Sequence, residues 1–395
     1  MASFVNEGMK SAPRNVVLFT STGAVVAERR SGFVRMRIVF CWTHISGYMA
    51  ACWRELAKRK DIDVCVISLR NDRSNAPFTS GVMEGVEWID LPKTIWEDYR
   101  QIRSLVAERN PEIIVNAGWN NPAYVQLSFC KEFARTRFIL AMDNPFRGDL
   151  RQRFGRLWMN RYLRRMDHTL VPGERAWQFA KSLGISENRI SKGLYGVDYE
   201  SLCGLWERRR NGAEGWPKTF LYIGQYIERK GIDILLEAYS KYHSKVVKPW
   251  PLFACGSGPL QKIVQGQTGV HDLGFVQPEE LVEIIRGAGV FVLPSKIDAW
   301  PLAIVEACSG GLPVICTSAC GSSVELVHHR YNGYVVPAER PLALLRGLVW
   351  AHENHDNLPE VGRRSLELSA PYSASCWSDR FCAILWEMMN GVESE

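Results

Sequence analysis

The sequence has no Cys-x-x-Cys pair and no Cys/His cluster at zinc-finger spacing, and its eleven cysteines are scattered singly. That excludes a zinc module or a disulfide framework as the organising device and leads us to expect a reduced, cytoplasmic setting. No run approaches the ~18 uninterrupted apolar residues of a membrane-crossing helix. No repeat recurs at a solenoid or propeller period. Charge of one sign is also scarce: 48 Lys and Arg against 42 Asp and Glu leave +6, too little to argue for a nucleic-acid partner. Residues 1–35 have only a weakly apolar piece, Val16 to Phe19, and lack the core and cleavage site of a signal peptide. They are expected to form a poorly ordered arm ahead of a natural start at Met36.

What is present is globular. At 395 residues, 46% hydrophobic and 23% charged, the chain has room for two domains. From Met36 onward short runs rich in Val, Ile and Leu alternate with amphipathic stretches, which predicts α/β architecture with parallel sheets covered on both faces. Strands are expected at 37–42, 63–69, 112–117 and 138–142, then at 219–223, 252–255, 290–293 and 312–317. The charged, glycine-containing stretch 207–216 reads as an interdomain linker between a first domain at 36–206 and a second at 217–371. Residues 372–395 carry Trp377, Phe381, Ile384, Leu385 and Met388 at helical spacing, as a helix packed on core.

Three loops carry chemistry. The strand ending at Ile223 runs into Gly224-Gln225, and Lys230-Gly231 follows just before the helical run IDILLEAYSKY. A lysine beside unpaired helix amides favours an anion. The strand 252–255 ends in Gly256-Ser257-Gly258-Pro259, small residues that admit close backbone approach beyond a strand's carboxyl end. The third loop holds Asp298, Trp300, Pro301 at an expected first helical position, and Leu302, with Glu306 following in an otherwise apolar helix. A carboxylate there needs hydrogen-bond donors, which ligand hydroxyls would supply. Asp61-Ile62-Asp63 has the form of a metal-binding DxD but continues directly into buried strand, and we read it as a strand entrance.

The ordered series GQYIERKGIDILLEAY, ACGSGP, HDLGFVQPEEL, VLPSKIDAWPLAIVEACSGGLPVICT, GSSVEL and NGYVVP resembles retaining glycosyltransferases of family four, also called group one, with the GT-B fold. The resemblance covers 217–340 closely. The first half matches more loosely, in KSLGISENRI…YGVD and in Gly47 after the first strand.

The resemblance implies two Rossmann-like domains facing across a cleft. A nucleoside-diphosphate sugar would be held mainly by the second domain, and a saccharide or lipid-linked acceptor by the first. It needs no metal or other cofactor. It assigns Lys230 to the donor diphosphate, Glu306 to the ribose hydroxyls and Asp298 to the transferred sugar. Gly224, Gly256 and Ser257 would lie along the donor, and Phe275 and Val276 where the base is held. Gln225 stands where relatives usually carry arginine or lysine, Asp298 where they carry glutamate, and Trp300-Pro301 where an aromatic precedes glycine. Relatives place a histidine after a middle strand of the first domain. Here Asp143-Asn144-Pro145 occupies that point, with Asp143 as a sugar or acceptor ligand and proton acceptor, or simply as a turn residue. His44 follows the first strand, either near the phosphates or facing solvent.

Residues 147–165 contain seven arginines against one aspartate, with Phe154, Trp158 and Tyr162 at spacings of four. This predicts a helix suited to an anionic membrane surface on the inner face of the membrane, or to core packing with solvated arginines. The resulting expectation is a metal-independent retaining hexosyltransferase in surface or exopolysaccharide assembly. A sugar-nucleotide epimerase on the same scaffold and a non-catalytic sugar-nucleotide-binding protein remain as alternatives.

Overall fold

A computed structural model describes residues 35–69, 80–148, 150–213 and 215–390; the expected arm at 1–35 lies outside them except for Arg35. Seven strands of the first half form one sheet: β1 (Met36–Cys41), β2 (Ile62–Leu69), β3 (Glu87–Leu91), β4 (Ile113–Ala117), β5 (Arg137–Ala141), β6 (His168–Val171) and β7 (Ile190–Lys192). Their order is β3-β2-β1-β4-β5-β6-β7. The second half repeats the plan with β8 (Phe220–Ile223), β9 (Leu252–Cys255), β10 (Val270–Gly274), β11 (Val290–Leu293), β12 (Val314–Thr317) and β13 (Gly333–Val336), ordered β10-β9-β8-β11-β12-β13. All strand pairs are parallel.

Strand periodicity explains the two-sided cover. In β1, Ile38 and Phe40 face a core built with Trp53 and the C-terminal helix, whereas Val39 and Cys41 face a second core with Ile102, Tyr124 and Tyr162. Successive apolar residues therefore serve opposite faces of one sheet. In both halves the order reverses beside the first strand, between β1 and β4 and between β8 and β11, and such reversals open a crevice at the strands' carboxyl ends.

The eight expected strands form within one or two residues of their read positions. The other five were not expected because they are short. Four of them, β3, β7, β10 and β13, are edge strands with exposed or half-exposed positions, and β6 buries His168 and Thr169. Burial pulls the His168 ring down to about 4, while its Nε2 lies 2.9 Å from Ser191 Oγ.

The stretch read as a linker is half helical. Leu205–Arg210 forms a short helix fastened to the second half. Trp206 Nε1 donates to the Pro359 carbonyl at 2.7 Å, and the buried Arg209 guanidinium donates to the carbonyls of Ile285, Arg286, Gly310 and Gly311. The chain crosses instead where Val197 and Ser373 pair. Val197 N donates to Tyr372 O at 2.9 Å and Ala374 N to Val197 O at 2.8 Å, so the outward and returning crossings are bonded to each other. Beyond them the helix Ala374–Asn390 returns to the first half, with Trp377 and Phe381 buried and Trp377 Nε1 donating to Leu194 O at 2.7 Å. Each such fully buried aromatic contributes roughly 1.5–3 kcal/mol.

The arginine-rich helix, Leu150–Arg165, does not present one aromatic face. Tyr162 is core: its hydroxyl donates to Gly118 O at 2.9 Å and accepts from Asn116 Nδ2 at 3.3 Å. Trp158 is 88% exposed and Leu157 73%. Arg165 is engaged internally, over the Phe138 ring and donating to Phe133 O and Thr136 O, so its charge is not free for a surface.

Candidate active site

The carboxyl ends of β1, β4 and β5 face those of β8, β9, β10 and β11 across a cleft of about 850 Å³. Gly47 and Asp143 line it from the first half. Gly224, Gln225, Lys230, Gly256 and Ser257 line it from the second, as do Phe275, Val276, Asp298, Trp300, Pro301, Leu302 and Glu306. Every site residue named from the sequence thus reaches this one cavity, and His44 lies on its rim.

Local backbone geometry puts them there. β8 ends at Ile223, and after the short turn Glu228–Lys230 the chain reverses through Gly231 at φ +70° into the helix Ile232–Lys245. Only glycine fits, because a Cβ would overlap the Pro294 carbonyl oxygen as well as strain the backbone. Gly256 likewise lets the end of β9 pass against the Gly224 carbonyl, leaving no room for a side chain between the two loops. Pro301 is the N-cap of the helix Leu302–Ser309, one position earlier than its expected place inside it. The first two amides of that helix, Leu302 and Ala303, have no intrahelical carbonyl partners and border the cleft, whereas Ile304 N donates to Pro301 O at 3.2 Å.

Asp298 is 7% exposed. Its Oδ2 accepts from Lys230 Nζ at 2.6 Å and from Ser295 Oγ at 3.3 Å, while Arg229 Nη1 lies 3.8 Å from Oδ1. Main-chain bonds to Ala319 and Gly321 fix the loop. Lys230 is therefore held by a carboxylate. Glu306 differs. Among the described residues its carboxyl has no hydrogen-bond partner, and burial alone pushes it up to about 7. It is a partly buried acid on the cleft wall, free to accept from ligand hydroxyls.

On the opposite wall, Tyr195 donates its hydroxyl to Asp143 Oδ2 at 3.1 Å, and burial lifts Asp143 above the usual carboxylate range despite that bond. Tyr48 stacks edge-on against Tyr195, with ring centroids 5.5 Å apart, and burial raises its phenol to about 12. Tyr48, Tyr195, Trp119, Arg54 and Arg229 line the cleft and were not singled out from the sequence. Tyr195 belongs to the YGVD run and Arg229 to IERKG, so both lay inside motifs whose other positions drew the attention. Nothing local marks Tyr48 or Trp119, which the fold alone brings to the cavity.

The two halves also touch behind the cleft. Glu325 Oε1 accepts from Glu174 N at 2.6 Å, at the start of the helix Glu174–Ser182, and Arg175 Nη2 donates to Ser318 O at 2.6 Å. The Trp300 ring packs on Gly173, so this cleft residue spans both halves.

Residues 206–364 match the profile of glycosyl transferases group 1. The match covers the second half of the chain, where the ordered strand-end loops lie. Among curated proteins, an uncharacterized glycosyltransferase of Methanocaldococcus jannaschii is 29% identical over 36% of this chain and 37% of its own length. The O-antigen chain mannosyltransferase B of Escherichia coli is 33% identical over 26% of this chain and 29% of its own. The chain spans 37% and 45% of the length of the first two curated relatives it matches. Among solved structures, a glycosyltransferase from Rickettsia africae superposes with a TM-score of 0.70 at 14% identity, over 92% of this chain and all of that one. Anabaena HepE in complex with UDP and glucose gives 0.69 at 14% identity, over 89% of this chain and all of that one. The chain therefore has the GT-B fold of these neighbours.

Proposed function

We propose that the protein transfers a hexosyl group from a nucleoside-diphosphate sugar to a saccharide or lipid-linked saccharide acceptor, with retention at the anomeric carbon, in surface or exopolysaccharide assembly. The observation that carries this reading is the convergence of the strand-end loops 224–230, 256–257, 275–276 and 298–306 on one wall of one cleft. The homologues with polysaccharide-related names support the pathway class, and the solved neighbour named for its UDP and glucose supports the donor class. Retention rests on the ordered motifs of the resemblance.

In this reading the acceptor oxygen bonds to the anomeric carbon as the bond from that carbon to the phosphate oxygen breaks, and the electron pair leaves with the nucleoside diphosphate. Charge grows on the departing phosphate, so the catalytic requirement is preorganised positive potential, supplied by Lys230 and the amides near Leu302. Phosphate displaces or shares the contact that Asp298 makes with Lys230. Ribose hydroxyls donate to Glu306 and favour its ionised form. Asp143, steered by Tyr195, accepts the acceptor's proton, and burial makes it a stronger base than an exposed aspartate. Phe275 and Val276 flank the base. No step draws on a metal.

The exposed Trp158 and Leu157, with Arg161 about one turn on and Arg164 about two, form the part of residues 147–165 that fits an anionic membrane at the inner face. There the first half would meet a lipid-linked acceptor.

The test is product analysis with a matched donor and acceptor, reading the anomeric configuration by NMR. A retained glycoside is expected, with Lys230→Ala and Glu306→Ala each lowering kcat/KM by about 100-fold without unfolding the chain. Free epimerised donor as the product, or full turnover in both variants, contradicts the reading.

A further inference from the structure

Gln225 leaves the expected diphosphate site one cation short, since an amide can donate a hydrogen bond but carries no charge. Four residues later, in the same strand-to-helix turn, Arg229 lines the same cleft. Its side chain is 49% exposed and its guanidinium donates to the Ile297 carbonyl at 3.2 Å. Its own carbonyl accepts from Lys296 N at 2.9 Å, which ties the turn to the Asp298 loop. The remaining cation of these loops is taken: Lys296 Nζ is 2.7 Å from Asp233 Oδ2.

Asp298 thus stands between two cations. Lys230 is hydrogen-bonded to one of its oxygens, and Arg229 waits 3.8 Å from the other, beyond hydrogen-bond distance. One carboxylate against two cations leaves this three-residue cluster with a net positive charge. A guanidinium presents paired donors that suit phosphate oxygens, and a side chain held this loosely needs little free energy to swing to them.

We infer that Arg229 supplies the second cation of the donor-diphosphate clamp in place of position 225, with Asp298 holding both cations poised until phosphate arrives. This rests on the transferase reading. It adds a specific claim, that binding strength was moved from the residue after the strand glycine to the residue before Lys230.

The experiment is calorimetric titration of the full chain with UDP, GDP and dTDP and with the corresponding nucleosides. Arg229→Gln is expected to weaken the diphosphate that wild type binds by about tenfold or more while leaving its nucleoside unchanged. Adding Gln225→Arg to that variant is expected to restore affinity to within about threefold of wild type, and Arg229→Lys to lose less than Arg229→Gln. Unchanged melting temperatures exclude unfolding as the cause. Equal diphosphate binding by wild type and Arg229→Gln overturns the inference, as does equal loss for nucleoside and diphosphate or failure of Gln225→Arg to restore binding. If Lys230→Ala weakens the diphosphate and Arg229→Gln does not, this inference fails and the transferase reading stands. Indifference of wild type to all three diphosphates removes both.

Discussion

At the scale of single residues the cleft is defined by two carboxyl groups in opposite conditions. Asp298 is satisfied by Lys230 and Ser295, whereas Glu306 is partly buried, has no side-chain partner among the described residues and is pushed up to about 7. The folded-state value of Glu306 lies above that of the unfolded chain, so its contribution to stability is fully present below about pH 4.5 and is lost as pH rises through 7. The 2.5-unit difference between 4.5 and about 7 corresponds to about 3 kcal/mol at pH 8. Glu306→Gln, which cannot ionise, is therefore expected to melt above wild type at pH 8 and level with it at pH 4. Identical pH profiles for the two proteins would show that Glu306 is solvated or paired. The roles of Lys230 and Glu306 rest on motif spacing that is readable in the sequence. The Lys230–Asp298 bond is not readable, because it joins residues 68 positions apart through the packing of two loops.

At the scale of elements, strands buried on both faces announced themselves through unbroken Val, Ile and Leu, and their ends marked the loops that matter. Edge strands such as Val270–Gly274 did not, since one exposed side permits a polar sequence such as VHDLG. The aromatic spacing in Leu150–Arg165 misled for a related reason. Steps of four drift around a helix, and here the turn holding Trp158 faces out while the next buries Tyr162. The exposed turn gives a measurable expectation. Trp158→Ala with Leu157→Ser should abolish sedimentation with phosphatidylglycerol vesicles at low salt while leaving the fold intact; wild-type protein that ignores those vesicles contradicts the membrane reading. The helix Glu174–Ser182 gives another. Its first amide is capped by Glu325 from the other half, so Glu325→Ala should cost about 1 kcal/mol in urea unfolding and enlarge the radius of gyration in X-ray scattering. Unchanged dimensions would show that the cap does not restrain the halves.

At the scale of the whole molecule, two repeats of one parallel-sheet plan face each other and exchange their C-terminal helix across a bonded double crossing at Val197 and Ser373. Glu325, Arg175 and Trp300 add further contacts between the two halves. Two-domain α/β organisation was legible from alternation alone. The location of the crossing was not, because the charged stretch at 207–216 looks like a linker but anchors through Arg209, a buried cation that donates to carbonyls and lies over the Trp216 ring. The central claim is that the second half grips a nucleoside diphosphate through Lys230 and its neighbouring loops. Melting temperature in the presence of UDP, GDP, ADP and dTDP tests it most directly: we expect at least one to raise the wild-type value in a concentration-dependent way, and the same nucleotide to leave Lys230→Ala unmoved. A wild-type protein that none of them stabilises, or a Lys230→Ala variant stabilised equally, would contradict the account.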